Sequence, residues 1–204
     1  MKEGFILPNG RIFLLTLIVI LVFTSFRSII SKFPATPNDD YDNPKPFILG
    51  LDTYSSSDIP KTILTGSPNT ITSIITVPSS NGGIINDINL TNLAITHTYI
   101  KNLNIRLRSP LGTEIVLLAR PCEDQDNIAI DFDDEGNSFA SIPCPPTNGL
   151  AYQPSESLAA FDGESPVGNW TLTIEDVVNG DGGSLNSWAL EINTIPPIEI
   201  GDLR

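Results

Sequence analysis

The sequence has few of the side chains that catalysis and nucleic-acid binding usually need. It contains one histidine, two cysteines and 11 Lys and Arg against 24 Asp and Glu, so the formal net charge is −13. Proteins that bind nucleic acid need basic patches, and this charge argues against that class of partner. Between Pro121 and Leu203 there are sixteen acidic side chains and no Lys or Arg. Such a surface repels itself unless salt or a bound cation screens it.

The scarcity of histidine also bears on catalysis. A Ser-His-Asp triad needs an imidazole as its base, and His97 is the only histidine. It is in phase with Leu93 and Ile95, as a histidine of the core would be. The sequence has no Gly-x-Ser-x-Gly nucleophile turn, and two cysteines with one histidine are too few for a closed zinc site. Although the acids could supply a glycosidase pair, no pattern singles one out, and we predict no catalytic residues.

The N-terminus has the composition of a targeting segment. Lys2 and Arg11 precede the apolar run Ile12–Phe26, which suits the core of a signal peptide and is short for a membrane span. We predict that residues 1–30 form an apolar helix that acts as a signal peptide or a signal anchor. Residues 31–58, rich in Pro and Asp, are predicted to be a linker. The body is then secreted, or anchored to the membrane on its extracytoplasmic side.

Beyond residue 58, the chain has the pattern of short strands joined by turns. Leu103, Ile105 and Leu107 alternate with polar residues, which is typical of a half-buried strand. The segment 109–112, Ser-Pro-Leu-Gly, then favours a tight turn into a second strand. Other strands are predicted at residues 70–77, 84–98, 115–119, 128–132, 170–175 and 188–192.

These strands define the predicted fold class. No amphipathic helical period and no internal repeat occurs in the body, so we predict an all-β protein. The body, residues 59–195, is the size of one β-sandwich of about eight short strands, followed by a tail at 196–204. The apolar positions change phase near Asn92, which predicts either a β-bulge there or a strand that crosses between the sheets.

Several short segments form a recognisable series along the chain. They are Ile95–Tyr99, Asn102–Leu103, Ser109–Thr113, Phe132–Glu135, Leu158–Glu164, Gly168–Leu172, Asp176 and Asp181–Leu190. This series resembles the P domain (Homo B domain) of proprotein convertases and related subtilisin-like serine proteases over nearly all of residues 59–193. Two positions depart from the family pattern. Asn102 stands where the family usually has aspartate, and Gly136 stands where alanine is common.

The resemblance implies a fold and a role. It implies a jelly-roll β-sandwich, and a module without catalytic residues. P domains are usually appended to a serine-protease domain, which they stabilise and whose response to calcium and pH they influence. Because residues 1–58 are predicted to be leader and linker, we expect a stand-alone P domain without its protease.

Calcium is the predicted cofactor, as a structural ion. Seven acids lie within residues 123–135, and Ca²⁺ takes six to eight oxygen ligands of the kind that carboxylates supply. We predict Asp126, Asp133, Asp134 and Glu135 as ligands. The spacing is not that of an EF-hand loop, so the prediction depends partly on the resemblance.

Cys122 and Cys144 flank this acidic segment and are the only cysteines. In an exported chain two cysteines favour one disulfide, which would order the segment between them.

Three functions are compatible with the sequence. The first is an exported, non-catalytic module that binds a protein, such as a subtilisin-like protease or a cell-surface component. The second is a carbohydrate- or surface-binding jelly roll, since that fold hosts many binding sites. The third is an enzyme on a sandwich scaffold, which the missing triad argues against.

Overall fold

The computed structural model describes residues 50–66, 69–80 and 82–195 of the 204-residue chain. All of these residues belong to one compact unit, Lys45–Arg204. The predicted leader at 1–30, the first part of the predicted linker and the tail at 196–204 lie outside the described residues. Among the residues described, no helix has the length and apolar character needed to cross a membrane.

Ten strands and three short 3₁₀ turns make up the described part of the chain. The strands are β1 (Gly50–Ser55), β2 (Lys61–Ile63), β3 (Asn69–Val77), β4 (Ile84–His97), β5 (Leu103–Arg108), β6 (Glu114–Ala119), β7 (Ile128–Asn137), β8 (Ala151–Tyr152), β9 (Gly168–Asp176) and β10 (Gly183–Ile195). The 3₁₀ turns are Ile100–Asn102, Phe139–Ser141 and Leu158–Phe161.

The strands form two sheets. The large sheet has the order β1-β10-β4-β7-β8, with β2 also paired to β10, and the small sheet has the order β3-β9-β5-β6. All pairs are antiparallel except β7 with β8. Apolar side chains from both sheets form one core around Trp170 and Trp188, which are 0% and 1% exposed. The prediction of a two-sheet, all-β body is confirmed.

The hairpin read from the alternation of β5 is present. Leu103, Ile105 and Leu107 are buried, and β5 pairs with β6 in an antiparallel register. The turn closes through hydrogen bonds from Ser109 N to Thr113 O (2.8 Å) and from Gly112 N to Ser109 O (3.1 Å). Gly112 has a φ of 100°, a conformation that side-chain-bearing residues resist.

The predicted bulge near Asn92 is also confirmed. Asn92 has a positive φ of 55°, and the pairing of β4 with β7 shifts register between Leu90 and Leu93. The carboxylate of Asp131 in β7 accepts a hydrogen bond from the displaced Asn92 N (2.7 Å). The bulge thus keeps the apolar residues on both sides of it directed into the core.

The structure differs from the prediction at several elements. There are ten strands where about eight are predicted, and β1 lies within the predicted linker 31–58, so the folded body extends N-terminally into that stretch. Strand β7 runs to Asn137, which places Asp133–Glu135 in a strand and not in a loop. Consecutive strands β9 and β10 lie in different sheets, because the turn between them crosses the sandwich.

Gly136 has a local reason to differ from the alanine that is common in the family. A Cβ atom at this position would lie 2.9 Å from the backbone carbon of Ala151 and 3.0 Å from the carbonyl oxygen of Asp133. The close parallel pairing of β7 with β8 leaves no room for a methyl group there.

The predicted disulfide between Cys122 and Cys144 is present, with a Cα–Cα distance of 5.6 Å and a sequence separation of 22. Replacing both cysteines with serine is expected to lower the free energy of unfolding by about 3 kcal/mol, because the open chain has more conformational freedom when unfolded. Urea denaturation of the double variant, compared with the wild type in its disulfide-bonded form, measures this. A loss below about 1 kcal/mol would show that the loop is ordered by other contacts.

Candidate functional site

A cavity of about 390 Å³ opens beside the first half of β4 and the second half of β7. The carboxylates of Asp87, Asp134, Glu135 and Asp162 line it. We call it the acidic cavity. All the basic side chains of the described residues lie elsewhere, so the cavity is an electronegative feature of the surface.

Backbone contacts bring Asp162 next to Asp87, although the two are far apart in sequence. Ile85 N donates to Glu164 O (2.8 Å), and Gly163 N donates to Ile85 O (2.8 Å). This pair of bonds joins the loop after the 3₁₀ turn Leu158–Phe161 to the start of β4. The turn itself is anchored by Phe161, whose buried ring meets Trp170 edge to face at 5.0 Å.

Asp134 holds the 3₁₀ turn against β7. Its carboxylate accepts hydrogen bonds from Ser157 Oγ (2.5 Å), Leu158 N (3.0 Å) and Ala159 N (2.8 Å). These are donors at the start of the turn, where Ser157 Oγ also accepts from Ala159 N (3.2 Å) as the N-cap. Asp134 therefore has a structural role, and its position in the cavity is fixed.

The other carboxylates of the acidic cavity repel one another. Burial, the charge of Asp133 and the charge of Asp134 raise the pKa of Asp87. Burial and the charges of Asp87 and Asp134 raise the pKa of Asp162. The pKa of Glu135 is raised by a hydrogen bond to the Asp133 side chain, by burial and by the charges of Asp133 and Asp87. Negative charge in the cavity thus opposes folding, unless a proton or a cation neutralises it.

Only part of the predicted calcium set lies in this cavity. Asp134 and Glu135 line it, and Asp133 lies beside it, where its charge acts on Asp87. Asp126 precedes β7, and the six residue steps of that strand up to Asp134 extend about 20 Å. Asp126 is not among the residues that line the acidic cavity.

Asp87 and Asp162, which the predicted calcium set does not include, line the cavity, whereas Asp126 does not. Asp162 lies close to Glu164 in the segment Leu158–Glu164, which resembles the family, but this pair of acids is more typical of a solvated turn. The sequence around Asp87 gives no sign that it lies near other acids. Its position beside Asp162 results from the backbone hydrogen bonds of Ile85 with Gly163 and Glu164.

The carboxylate oxygens that line the acidic cavity are suitable ligands for a hard cation, since Ca²⁺ prefers oxygen ligands of this kind. In the part of the chain that the structure describes, no three His, Cys, Asp or Glu side chains are already grouped to hold a metal ion. Asp134 is fixed by its three hydrogen bonds, so binding would require Asp87, Glu135 or Asp162 to turn toward it.

Replacing Asp87 with asparagine tests the repulsion. Since the folded-state pKa of Asp87 lies above its usual 3.8, the folded protein binds more protons than the unfolded chain just above that pH, and stability falls as the pH rises. In EDTA at pH 7 we expect Asp87→Asn to be more stable than the wild type, by less than about 1 kcal/mol because the site is open to solvent. The difference should shrink toward pH 4.

Urea denaturation at both pH values measures this effect. The matched control is Asp124→Asn, which removes the same charge from an exposed position and should leave stability unchanged. A variant at Asp87 that is less stable than the wild type in EDTA would contradict the repulsion.

His97 lies at the opposite end of β4, in a buried polar pair. Its Nε2 is 3.4 Å from Oδ2 of Asp176, and its Nδ1 accepts a hydrogen bond from Tyr99 N (3.2 Å). Both ring nitrogens are thus engaged, and the proton lies on Nε2. The side chains of His97 and Asp176 are wholly buried. The interpretation of His97 as a core histidine agrees with this geometry.

Asn102, where the family pattern has aspartate, also has a partner. It is 3% exposed, and its Nδ2 donates to Oδ2 of Asp181 (2.9 Å), whose Oδ1 accepts from Thr98 Oγ1 (3.3 Å). The amide supplies a donor that a carboxylate could not. At this end of the sandwich, a neutral hydrogen bond donor therefore stands where the family pattern would place a second acid.

The family model described as the proprotein convertase P-domain matches residues 87–192, just over half of the chain. The chain belongs to this family, and the resemblance read from its motifs is confirmed. Comparison with curated proteins finds no match.

Two solved structures from Aeromonas sobria are similar to the chain. The crystal structure of its serine protease in complex with a chaperone is 20% identical, with a TM-score of 0.43, and the alignment covers 75% of this chain and 28% of that one. The crystal structure of the serine protease alone is 18% identical, with a TM-score of 0.38 and the same coverage. The chain thus spans a little over a quarter of the length of those proteins.

Proposed function

We propose that this chain is an exported, non-catalytic P domain that binds and stabilises a subtilisin-like serine protease, with calcium as a structural ion. The observation that carries the proposal is the family match over residues 87–192, because P domains are non-catalytic modules of such proteases. That range includes the acidic cavity and most of the core. The jelly-roll class of the sandwich belongs to the same proposal, as does export by the N-terminal segment 1–30.

The proposed calcium site is the acidic cavity. Asp134 is the fixed carboxylate, and Asp87, Glu135 and Asp162 are the carboxylates that would turn toward the ion. When bound, the ion would supply positive charge that offsets their mutual repulsion. It would thereby strengthen the connection between β4, β7 and the 3₁₀ turn Leu158–Phe161.

The carbohydrate-binding alternative would need a row of exposed aromatic rings for stacking on a sugar. Tyr152, Trp170 and Trp188 are 4% exposed or less and contribute to the core. Among the described residues Phe139 is the one exposed aromatic side chain, at 41%, and Tyr99 is half-buried.

A binding experiment tests the proposed function. The full chain is immobilised and incubated with a purified subtilisin-like serine protease from the same source, in calcium and in EDTA. We expect the protease to bind, and to retain more activity after heating when the chain is present. Failure of the protease to bind in either condition would contradict the proposal. Bovine serum albumin serves as the unrelated-protein control.

A further inference from the structure

The outward face of the large sheet carries a second, separate concavity. Outward-facing side chains of β4, β7 and β10 line a depression of about 370 Å³, among them Asn89, Thr91, Asp131, Asp133 and Glu191. A neighbouring depression of about 240 Å³ adjoins it, and Asn92 and Asp131 line both depressions. We call the two together the outer groove.

The outer groove has an excess of hydrogen-bond acceptors. Asp131 and Asp133 each use Oδ1 to accept one backbone N–H, from Asn92 and Glu135 respectively, at 2.7 Å. The Asp133 side chain also has a hydrogen bond with that of Glu135. The second oxygen of Asp131 and both oxygens of Glu191 accept no hydrogen bond from the described residues. In the same depression, Oδ1 of Asn89 and Oγ1 of Thr91 are buried and have no partner there. Buried polar atoms of this kind normally have one.

The positive side chains of the described residues do not compensate this excess. Three of them form ion pairs outside the groove: Lys61 with Asp58, Lys101 with Glu123, and Arg106 with Glu175. Arg108 and Arg120 donate to backbone carbonyls, also outside it. The groove therefore lacks positive charge, and an occupant that supplies it, together with donors for the unpaired oxygens, would be complementary to the groove.

A sugar fits this groove less well, because the aromatic residue there, Phe132, is fully buried and offers no face for stacking. Calcium also binds carboxylates, and it is tested below as a competitor. An extended protein segment fits better than a sugar, because its N–H groups and its Lys or Arg side chains supply both hydrogen-bond donors and positive charge.

We propose that the outer groove binds a segment of the partner protein rich in Lys and Arg, with Asp131 and Glu191 as the main contacts. This inference rests on the proposed function as a protein-binding module, and it assigns the surface and the chemistry of the partner.

The probe for the test is a fluorescein-labelled peptide with arginine at alternate positions, titrated with the full chain at low salt. The matched peptide has citrulline, which is uncharged and of similar shape, in place of arginine. The groove variant is Asp131→Asn with Glu191→Gln, in which the introduced asparagine amide keeps an oxygen that can accept from Asn92 N. The control variant is Glu114→Gln with Asp124→Asn, which removes the same charge from exposed positions elsewhere.

We expect the wild type and the control variant to bind the arginine peptide alike. The groove variant should bind it about tenfold more weakly, and the citrulline peptide should bind weakly to all three. Absence of binding by the wild type, equal weakening in both variants, or equal binding of the two peptides would each overturn the inference. Displacement of the peptide by millimolar calcium, but not by sodium chloride of the same ionic strength, would also overturn it, because the groove would then be an ion site.

The protease experiment separates this inference from the proposed function. If the protease binds equally to the wild type and the groove variant, the proposed function stands and the groove assignment fails. If the wild type shows groove-dependent peptide binding but does not bind the protease, the assigned surface stands and the protease partner is wrong.

Discussion

Replacing His97 with alanine is expected to lower the free energy of unfolding by about 3–5 kcal/mol, because it leaves a buried carboxylate without its partner. Asp176 is 1% exposed, and the only other donor to its carboxylate among the described residues is Val178 N (3.2 Å). The substitution also removes the acceptor for Tyr99 N. Urea denaturation followed by tryptophan fluorescence measures the loss, since Trp170 and Trp188 lie in the core.

A second variant keeps this prediction testable if the alanine variant does not fold. His97→Gln retains one donor and one acceptor at similar reach, and it should recover a substantial part of the loss. If His97→Ala were as stable as the wild type, the histidine would not be a structural residue of the core. A catalytic interpretation of the single imidazole would then have to be reconsidered.

Replacing Asn102 with aspartate is expected to destabilise the protein by up to about 4 kcal/mol at pH 7. The introduced carboxyl group would face Asp181, whose Oδ2 lies 2.9 Å from the present amide nitrogen, at a position that is 3% exposed. It can replace the amide as a donor only when protonated. Holding that proton costs about 1.4 kcal/mol for each pH unit above its ordinary pKa. The destabilisation should therefore decrease as the pH falls toward 4.

Asn104 provides the matched control. Its Nδ2 also donates to a carboxylate, Oε2 of Glu175 (3.2 Å), but the residue is half-buried and Arg106 contacts the same oxygen (3.3 Å). Asn104→Asp should cost less than about 1 kcal/mol. Equal losses for the two substitutions would show that burial at Asn102 does not set the cost. Recovery of Asn102→Asp by millimolar calcium would indicate that this departure from the family pattern removed an ion site.

The strands that the sequence predicts well are those in which one face is buried. In β5 and β9, apolar and polar residues alternate, because each strand has one face in the core and one in solvent. The short strands β1 and β2 have no such pattern, and their pairing with β10 comes from tertiary contacts. The assignment of β9 and β10 to different sheets is also absent from the sequence, since both strands show the same alternation.

The candidate site could be predicted only where its residues are neighbours in sequence. Asp134 and Glu135 stand out in an acidic run, whereas Asp87 and Asp162 join them through the backbone bonds of Ile85 with Gly163 and Glu164. Asp126 belongs to the same acidic run but lies beyond the other end of β7. Sequence proximity therefore does not show which acids line the cavity, since Asp126 lies outside it and Asp87 and Asp162 lie in it.

Thermal melting of the full chain at pH 7, in millimolar calcium and in EDTA, tests the central claim that the acidic cavity binds calcium. An ion that binds only the folded state must raise the melting temperature, and it adds about 2.7 kcal/mol of stability at a concentration 100 times its dissociation constant. We predict a rise for the wild type and for Asp124→Asn, and none for the double variant Asp87→Asn with Asp162→Asn. No rise in the wild type, or an undiminished rise in the double variant, would contradict the account.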